Sequence, residues 1–286
     1  MLKTRVITGF ILFALLLIIL FFGPVVFGIS VFIFALVGIY EFYNAVSNVG
    51  YKPVRIVGYL SCLTILMVTF NNGALDNQFA GHYINLFKSI SYFSAGLFVI
   101  FFILFLFIVF LHEKYNVNDI ALTVFGIFYV MFLFSFLVLT RNLNNGIYYI
   151  WFVFIGAWGT DISAYFTGKL IGKRKILPAI SPKKTVEGTI GGIVGCSILT
   201  AGYSILLVRM GIISWDVSVV SFILLGLING IISQVGDWGA SAIKRHSNIK
   251  DYGTIFPGHG GVLDRFDSIL FVAPIVYFFF YFFKIM

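Results

Sequence analysis

Apolar runs of about 20 residues, enough to cross the hydrocarbon core of a bilayer, recur along almost all of this 286-residue chain. Only 10% of the residues are charged, against roughly 25% in soluble domains. So much apolar surface cannot be buried in one aqueous core, so length here counts membrane spans rather than domains. The expected fold is all-α: a polytopic integral membrane protein with spans at about 6–22, 26–46, 56–71, 89–111, 119–140, 147–166, 187–208, 217–236 and 268–284. The first run follows a basic start and is too long for the core of a signal peptide, and no small-residue cleavage site follows it, so it reads as a retained span. Cys62 and Cys196 fall inside apolar blocks and read as small core residues rather than a disulfide or zinc pair. No internal repeat is visible, and none of the symmetry of a transporter with inverted halves.

With nine spans and the N-terminus inside, 15 of the 19 basic residues fall in cytoplasmic segments and 4 outside. Lysine and arginine collect on the cytoplasmic side, so this asymmetry predicts a cytoplasmic N-terminus and an external C-terminus. Residues 1–145 then supply N-terminal membrane helices and 146–286 a C-terminal catalytic region, in one integrated membrane domain.

The polar residues concentrate in two of the cytoplasmic segments. One, from Lys169 to Glu187, reads KLIGKRKILPAISPKKTVE. The other, from Ser241 to Asp267, holds Asp251, Asp264 and Asp267, three of the chain's 11 acids, interleaved with Lys244, Arg245, Lys250 and Arg265. Asp237 lies just upstream and Asp161 late in the sixth span. Ionisable groups at membrane depth are costly, which makes them candidates for function. Carboxylates beside phosphate-binding cations are what a Mg²⁺ site for phosphoryl chemistry requires. The alternative, which spacing leaves open, is that the acids pair with Arg265 and Lys250 in a solvated membrane-edge loop. Ser181 reads as an N-cap and Pro182 as the first helical residue, which would put Lys183 and Lys184 in a first turn that favours anions. The alternative for those lysines is a translocation stop or a patch for anionic headgroups. Pro257-Gly258-His259-Gly260-Gly261 cannot span; it suits close backbone approach to a phosphate, although neither a Walker loop nor a Rossmann fingerprint is present. His259 is either a proton shuttle or phosphate donor, or a structural residue. Glu41, beside Tyr40 and Tyr43 in the second span, is either a partnered structural acid or part of a cavity lining.

The run S-x-I-K-R-x4-K-D-x-G-x2-F-P-x-H-G-G-V-x-D-R-F-D from Ser241 to Asp267 resembles the signature of phosphatidate cytidylyltransferases, also called CDP-diacylglycerol synthases. All its fixed positions are filled. Trp158, Asp161, Ala164, Tyr165, Gly168 and Lys169, the following SPKKTxEG, and Gly236-Asp237 resemble the same family. The motifs cover roughly residues 158–268; the N-terminal half agrees only in being polytopic and hydrophobic. The resemblance implies the reaction CTP + phosphatidate → CDP-diacylglycerol + pyrophosphate, in phospholipid biosynthesis. It implies catalytic roles for Asp237, Asp264, Lys183, Lys184 and Arg265. Ser241, Lys244, Arg245, Lys250, Asp251, His259, Gly260 and Gly261 would bind substrate. Asp237, Asp264, Asp267 and Asp161 would serve a divalent metal, Mg²⁺, with K⁺ as a candidate companion ion. The implied partners are CTP, phosphatidate in the bilayer and a second copy of the chain, with no nucleic acid. The implied setting is a bacterial plasma membrane, with the site on the cytoplasmic face. Two other readings compete. A CTP-dependent lipid kinase of related ancestry would transfer the γ-phosphate. An ion-coupled transporter would spread its acids through mid-membrane, whereas here they gather at one face.

Overall fold

A computed structural model describes residues 2–70, 96, 98–214 and 217–283. The loop expected at 72–87, and the beginning of the span expected from 89, lie outside the described residues. Among the described residues, twelve α-helices follow one another: α1 Leu2–Phe21, α2 Pro24–Ser47, α3 Arg55–Ser61, α4 Leu63–Phe70, α5 Phe98–Phe110, α6 Val117–Gly126, α7 Leu133–Asn142, α8 Gly146–Phe154, α9 Thr160–Ile171, α10 Val186–Arg209, α11 Val219–His246 and α12 Leu263–Phe283. Short π-helical turns, Ile127–Phe132 and Ile155–Gly159, join α6 to α7 and α8 to α9. Among the described residues the only β pairing is two isolated bridges, Lys175 with Thr185 and Phe256 with Gly260.

Among the described residues, five stretches are long and apolar enough to cross a membrane: Pro24–Ser47, Val117–Asn142, Val186–Arg209, Val219–His246 and Leu263–Phe282. Ile7–Phe21, Arg55–Phe70 and Phe98–Phe110 are apolar but shorter. The protein is therefore an all-helical integral membrane protein. Its surface agrees with that solvent. Ile190, Val194 and Ile198 of α10, and Leu224, Ile228, Ile231 and Val235 of α11, are exposed. Such continuous apolar faces are a liability in water and the norm in lipid.

Local sequence sets several helix ends. Pro24 occupies the first turn of α2, where its missing N–H costs nothing. Asn116 and Asp119 form a reciprocal capping box on α6. The α10 cap is Thr185, whose extended backbone lets its side chain accept the N–H of Gly188. The reading of Ser181 as N-cap is thus corrected. Residues 176–184 stay in turns and the Lys175–Thr185 bridge ties the loop back. Lys183 and Lys184 consequently precede the helix instead of lying in its first turn.

The C-terminal helices pack as α9 on α10, α10 on α11 and α11 on α12. Without a hydrophobic drive between helices in lipid, small residues permit that close approach. Gly188, Gly191, Gly192 and Gly195 of α10 meet Ala164, Thr167, Thr160 and Ser163 of α9. Gly226 and Gly230 of α11 meet the backbone of α10 at Ser197 and Ile193. Cys62 and Cys196 are both buried and free, as core residues.

Candidate active site

Helix α11 carries the site's central stripe. Asn229, Ser233, Asp237, Ser241 and Lys244 recur at three- and four-residue steps, so they share one side of the helix. Asn229 and Ser233 are fully buried, and their side-chain polar atoms lack protein partners among the described residues. Farther along, the stripe becomes charged, and two loops close over it.

The first loop, residues 172–184, delivers Lys184 to Asp237 as an ion pair, with the two side chains 28% and 23% exposed. Lys184 also lies over the Trp238 ring at 5.8 Å, and Arg245 Nε donates to the carbonyl of Ile180 at 3.4 Å. Burial pulls the Lys184 ammonium below the usual lysine range, while the Asp161 and Asp267 carboxylates act in the opposite direction. The second loop, residues 247–262, is organised by Asp264 in the first turn of α12. Asp264 Oδ1 accepts Lys244 Nζ at 2.7 Å; Oδ2 accepts the N–H groups of Tyr252 at 2.8 Å and Gly261 at 2.9 Å. Asp264 is buried and Lys244 partly so, with the Lys244 and Asp264 side chains 12% and 3% exposed. Asp264 therefore pairs with Lys244, neither with Arg265 nor with Lys250.

Between Phe256 and Gly260 the second loop doubles back, Phe256 N–H donating to the Gly260 carbonyl at 2.9 Å and His259 N–H to the Phe256 carbonyl at 2.8 Å. Gly260 has φ +81°, and a β-carbon there would sit 2.7 Å from Asp264 Oδ2, so glycine is required twice over. The His259 ring faces Gly9 of α1, and its buried Nδ1 lacks a partner among the described residues. Burial pushes the Tyr252 hydroxyl above its ordinary range, and that hydroxyl donates to the Ala240 carbonyl at 3.3 Å.

Asp267 and Asp237 flank one helix crossing. A β-carbon at Gly236 would lie 2.7 Å from the Asp267 carbonyl oxygen. Asp267 Oδ1 accepts the N–H of Ser268 at 2.8 Å, and Ser241 Oγ donates to Asp237 Oδ1 at 3.5 Å. Among the described residues, no three acidic, histidine or cysteine side chains converge to hold a metal ion.

The structure thus gathers Lys184, Asp237, Ser241, Lys244, Gly260, Gly261 and Asp264, with Asp161, Asp267 and Arg265 around them. Lys183, Lys250, Asp251 and Arg265 are exposed.

Sequence reasoning left Glu41 open. It is 2% exposed, and its two carboxylate oxygens accept the N–H groups of Val262 and Leu263, each at 2.9 Å. These lie at the start of α12, where helix geometry leaves amides without intrahelical partners. A β-carbon at Gly253 or Gly261 would collide with the same carboxylate. Glu41 thus ties α2 to the glycine-rich loop. The available signal was that it is the one acid in α2.

Residues 3–283 match the family model described as the cytidylyltransferase family. A protein of Staphylococcus saprophyticus named phosphatidate cytidylyltransferase is 34% identical over 274 residues, 96% of this chain and 97% of its own. Proteins of the same name from Bacillus subtilis and Staphylococcus aureus are 32% and 35% identical, each again across 96% of this chain and 96% or 97% of theirs.

Proposed function

This chain belongs to the cytidylyltransferase family and is a nucleotidyltransferase of phospholipid biosynthesis; on that premise we propose that it converts CTP and phosphatidate to CDP-diacylglycerol and pyrophosphate. The observation that carries the proposal is a pair of balanced cations at α11, one from the loop before α10 and one from α11 itself. Lys184 of the first loop is held by Asp237 of α11, and Lys244 of α11 is held by Asp264 of α12. Both ammonium groups are positioned before substrate arrives, and polyphosphate oxygens can compete for them.

In the reaction, an oxygen of the phosphatidate phosphate attacks the α-phosphorus of CTP. The new O–P bond forms as the α–β bridging bond breaks, and pyrophosphate departs with the bonding pair. The nucleophile is already anionic near neutral pH, so the chain need not supply a general base. Its task is to position the reactants and offset charge. Lys184 and Lys244 serve this from within, and Lys183, Lys250, Arg245 and Arg265 from the exposed rim. Ser241 and the unpartnered Nδ1 of His259 offer hydrogen bonds, and the doubled-back loop at Gly260 and Gly261 brings main chain close to phosphate. Asp251, exposed on the same loop, is placed for a substrate contact at the rim.

The donor set fits Mg²⁺, which is usually held by one or two carboxylates together with substrate phosphates and water. Asp237 and Asp267, at one crossing, would hold it, with Asp161 nearby and K⁺ as a candidate companion. Asp264 has both oxygens engaged by protein donors and is better placed to keep the loop in shape. When bound, the ion would supply positive charge against phosphate oxygens.

CTP is water-borne and phosphatidate lies in the bilayer, so the site must open to both. The distribution of basic residues supports nine spans, a cytoplasmic N-terminus and a site on the cytoplasmic face of a bacterial plasma membrane.

Replacing Lys184 by Met, or Asp237 by Asn, is expected to lower transfer at least about 100-fold, the scale for losing one positioned charge-stabilising group. Both side chains are partly exposed, so thermal stability should stay close to wild type. Steady-state kinetics and a melting curve in detergent check this. Near-normal turnover in both variants would remove the pair from the reaction.

A further inference from the structure

A second polar construction lies away from α9–α12. The turn after α2 and the end of the α5–α6 connection border an open cavity of about 550 Å³, lined in part by Lys52, Arg55 and Lys114 with Tyr51, Ile56 and Tyr115. The main chain on one side of it is tied to buried groups. Lys52 N–H donates to Asp119 Oδ1 at 2.6 Å and Val54 N–H to Thr123 Oγ1 at 2.8 Å, with Asp119 and Thr123 2% and 0% exposed. Asp119 Oδ2 accepts the N–H of Asn116 at 3.0 Å. Arg55 Nη2 is steered by Ser47 Oγ at 3.1 Å.

Both oxygens of the nearby buried carboxylate are therefore engaged by main-chain donors, and it forms no ion pair with these cations. Among the described residues, ion pairs form only at Lys184 and Lys244, so Lys52, Arg55 and Lys114 face one cavity without a carboxylate partner. Three like charges around a common space repel one another, and an anion would offset that. The rim indicates which anion. From Ile56, exposed apolar residues continue as Ile56, Leu60, Leu63, Met67 and Phe70. Steps of four, three, four and three place them in one stripe down α3 and α4. A phosphate head fits the cations, and acyl chains fit the stripe. Basic pockets between spans are suited to such headgroups.

We propose that this cavity binds the phosphate of an acidic phospholipid, whose acyl chains lie along α3 and α4. The site shares no residue with the proposed reaction centre, and its test does not depend on that reaction.

The test titrates the full-length protein in detergent with phosphatidylglycerol, phosphatidylcholine and inorganic phosphate, reading bound species by native mass spectrometry. Phosphatidylglycerol is chosen because it is not a substrate of the proposed reaction. Each lysine near a membrane surface contributes about 1 kcal/mol to acidic-lipid attraction. Phosphatidylglycerol affinity should therefore fall at least about tenfold in Lys52→Gln/Lys114→Gln and about fivefold in Lys114→Gln alone, an exposed change that leaves the fold intact. Lys52→Arg/Lys114→Arg should retain wild-type affinity, phosphatidylcholine should bind weakly to all, and millimolar phosphate should not displace the lipid. Equal phosphatidylglycerol binding by wild type and Lys114→Gln would overturn the proposal. So would a site that takes inorganic phosphate and ignores the lipid.

Discussion

Asp264→Asn is expected to reduce cytidylyl transfer at least about 100-fold, the scale for losing a positioned electrostatic group. The carboxylate joins Lys244 to two main-chain N–H groups twelve and three residues away, Tyr252 and Gly261. Asparagine keeps the size and one acceptor oxygen. It removes the charge that balances Lys244 and turns an N–H₂ toward at least one of the three donors. Asp264→Ala removes every acceptor and strands a largely buried ammonium, at a cost of about 3–5 kcal/mol. The alanine variant should therefore lose stability as well as turnover, while the asparagine variant loses mainly turnover. Turnover assays beside thermal melts separate the two effects. Wild-type turnover in Asp264→Asn would show that the carboxylate charge is dispensable.

Glu41→Gln should be the next most damaging change, although Glu41 lies 221 residues from Val262 and contributes no group to the charged stripe of α11. Glutamine can accept one of the two N–H groups it faces and presents an N–H₂ to the other. A buried amide left unsatisfied costs about 1–3 kcal/mol. Because Gly253 and Gly261 press directly on that side chain, the displacement would pass into the loop that carries His259 and Gly260. Glu41 supports the loop from below, so kcat should fall about tenfold or more with a smaller change in KM for CTP. A pure rise in KM would place Glu41 at the nucleotide itself, and unchanged kinetics would leave it a purely structural clamp.

These two residues show what can be read from a chain of this type. Apolar runs are legible because lipid imposes one solution, a helix with internally satisfied backbone, and among the described residues five of them form helices of spanning length. The stretch Ser241–Asp267 is legible because charge and glycine are expensive in such surroundings. Partner assignments are not, since they depend on tertiary approach. Lys184 meets Asp237, and Lys244 meets Asp264, only once the helices have packed. Spacing alone offered Arg265 or Lys250 just as readily. The misplaced helix start at Ser181 has a similar cause. Serine followed by proline is a sound local signal, but the bridge between Lys175 and Thr185 keeps that segment out of the helix. Glu41 stayed open because its partners are main-chain amides, which leave no trace in side-chain patterns.

The most direct test of the proposed reaction follows the phosphorus. Purified protein in detergent is given Mg²⁺, phosphatidate and CTP labelled separately at the α and γ positions. The α-label is expected in lipid and the γ-label in pyrophosphate. Transfer of the γ-label to lipid with release of CDP would contradict the reaction and make the protein a CTP-dependent kinase.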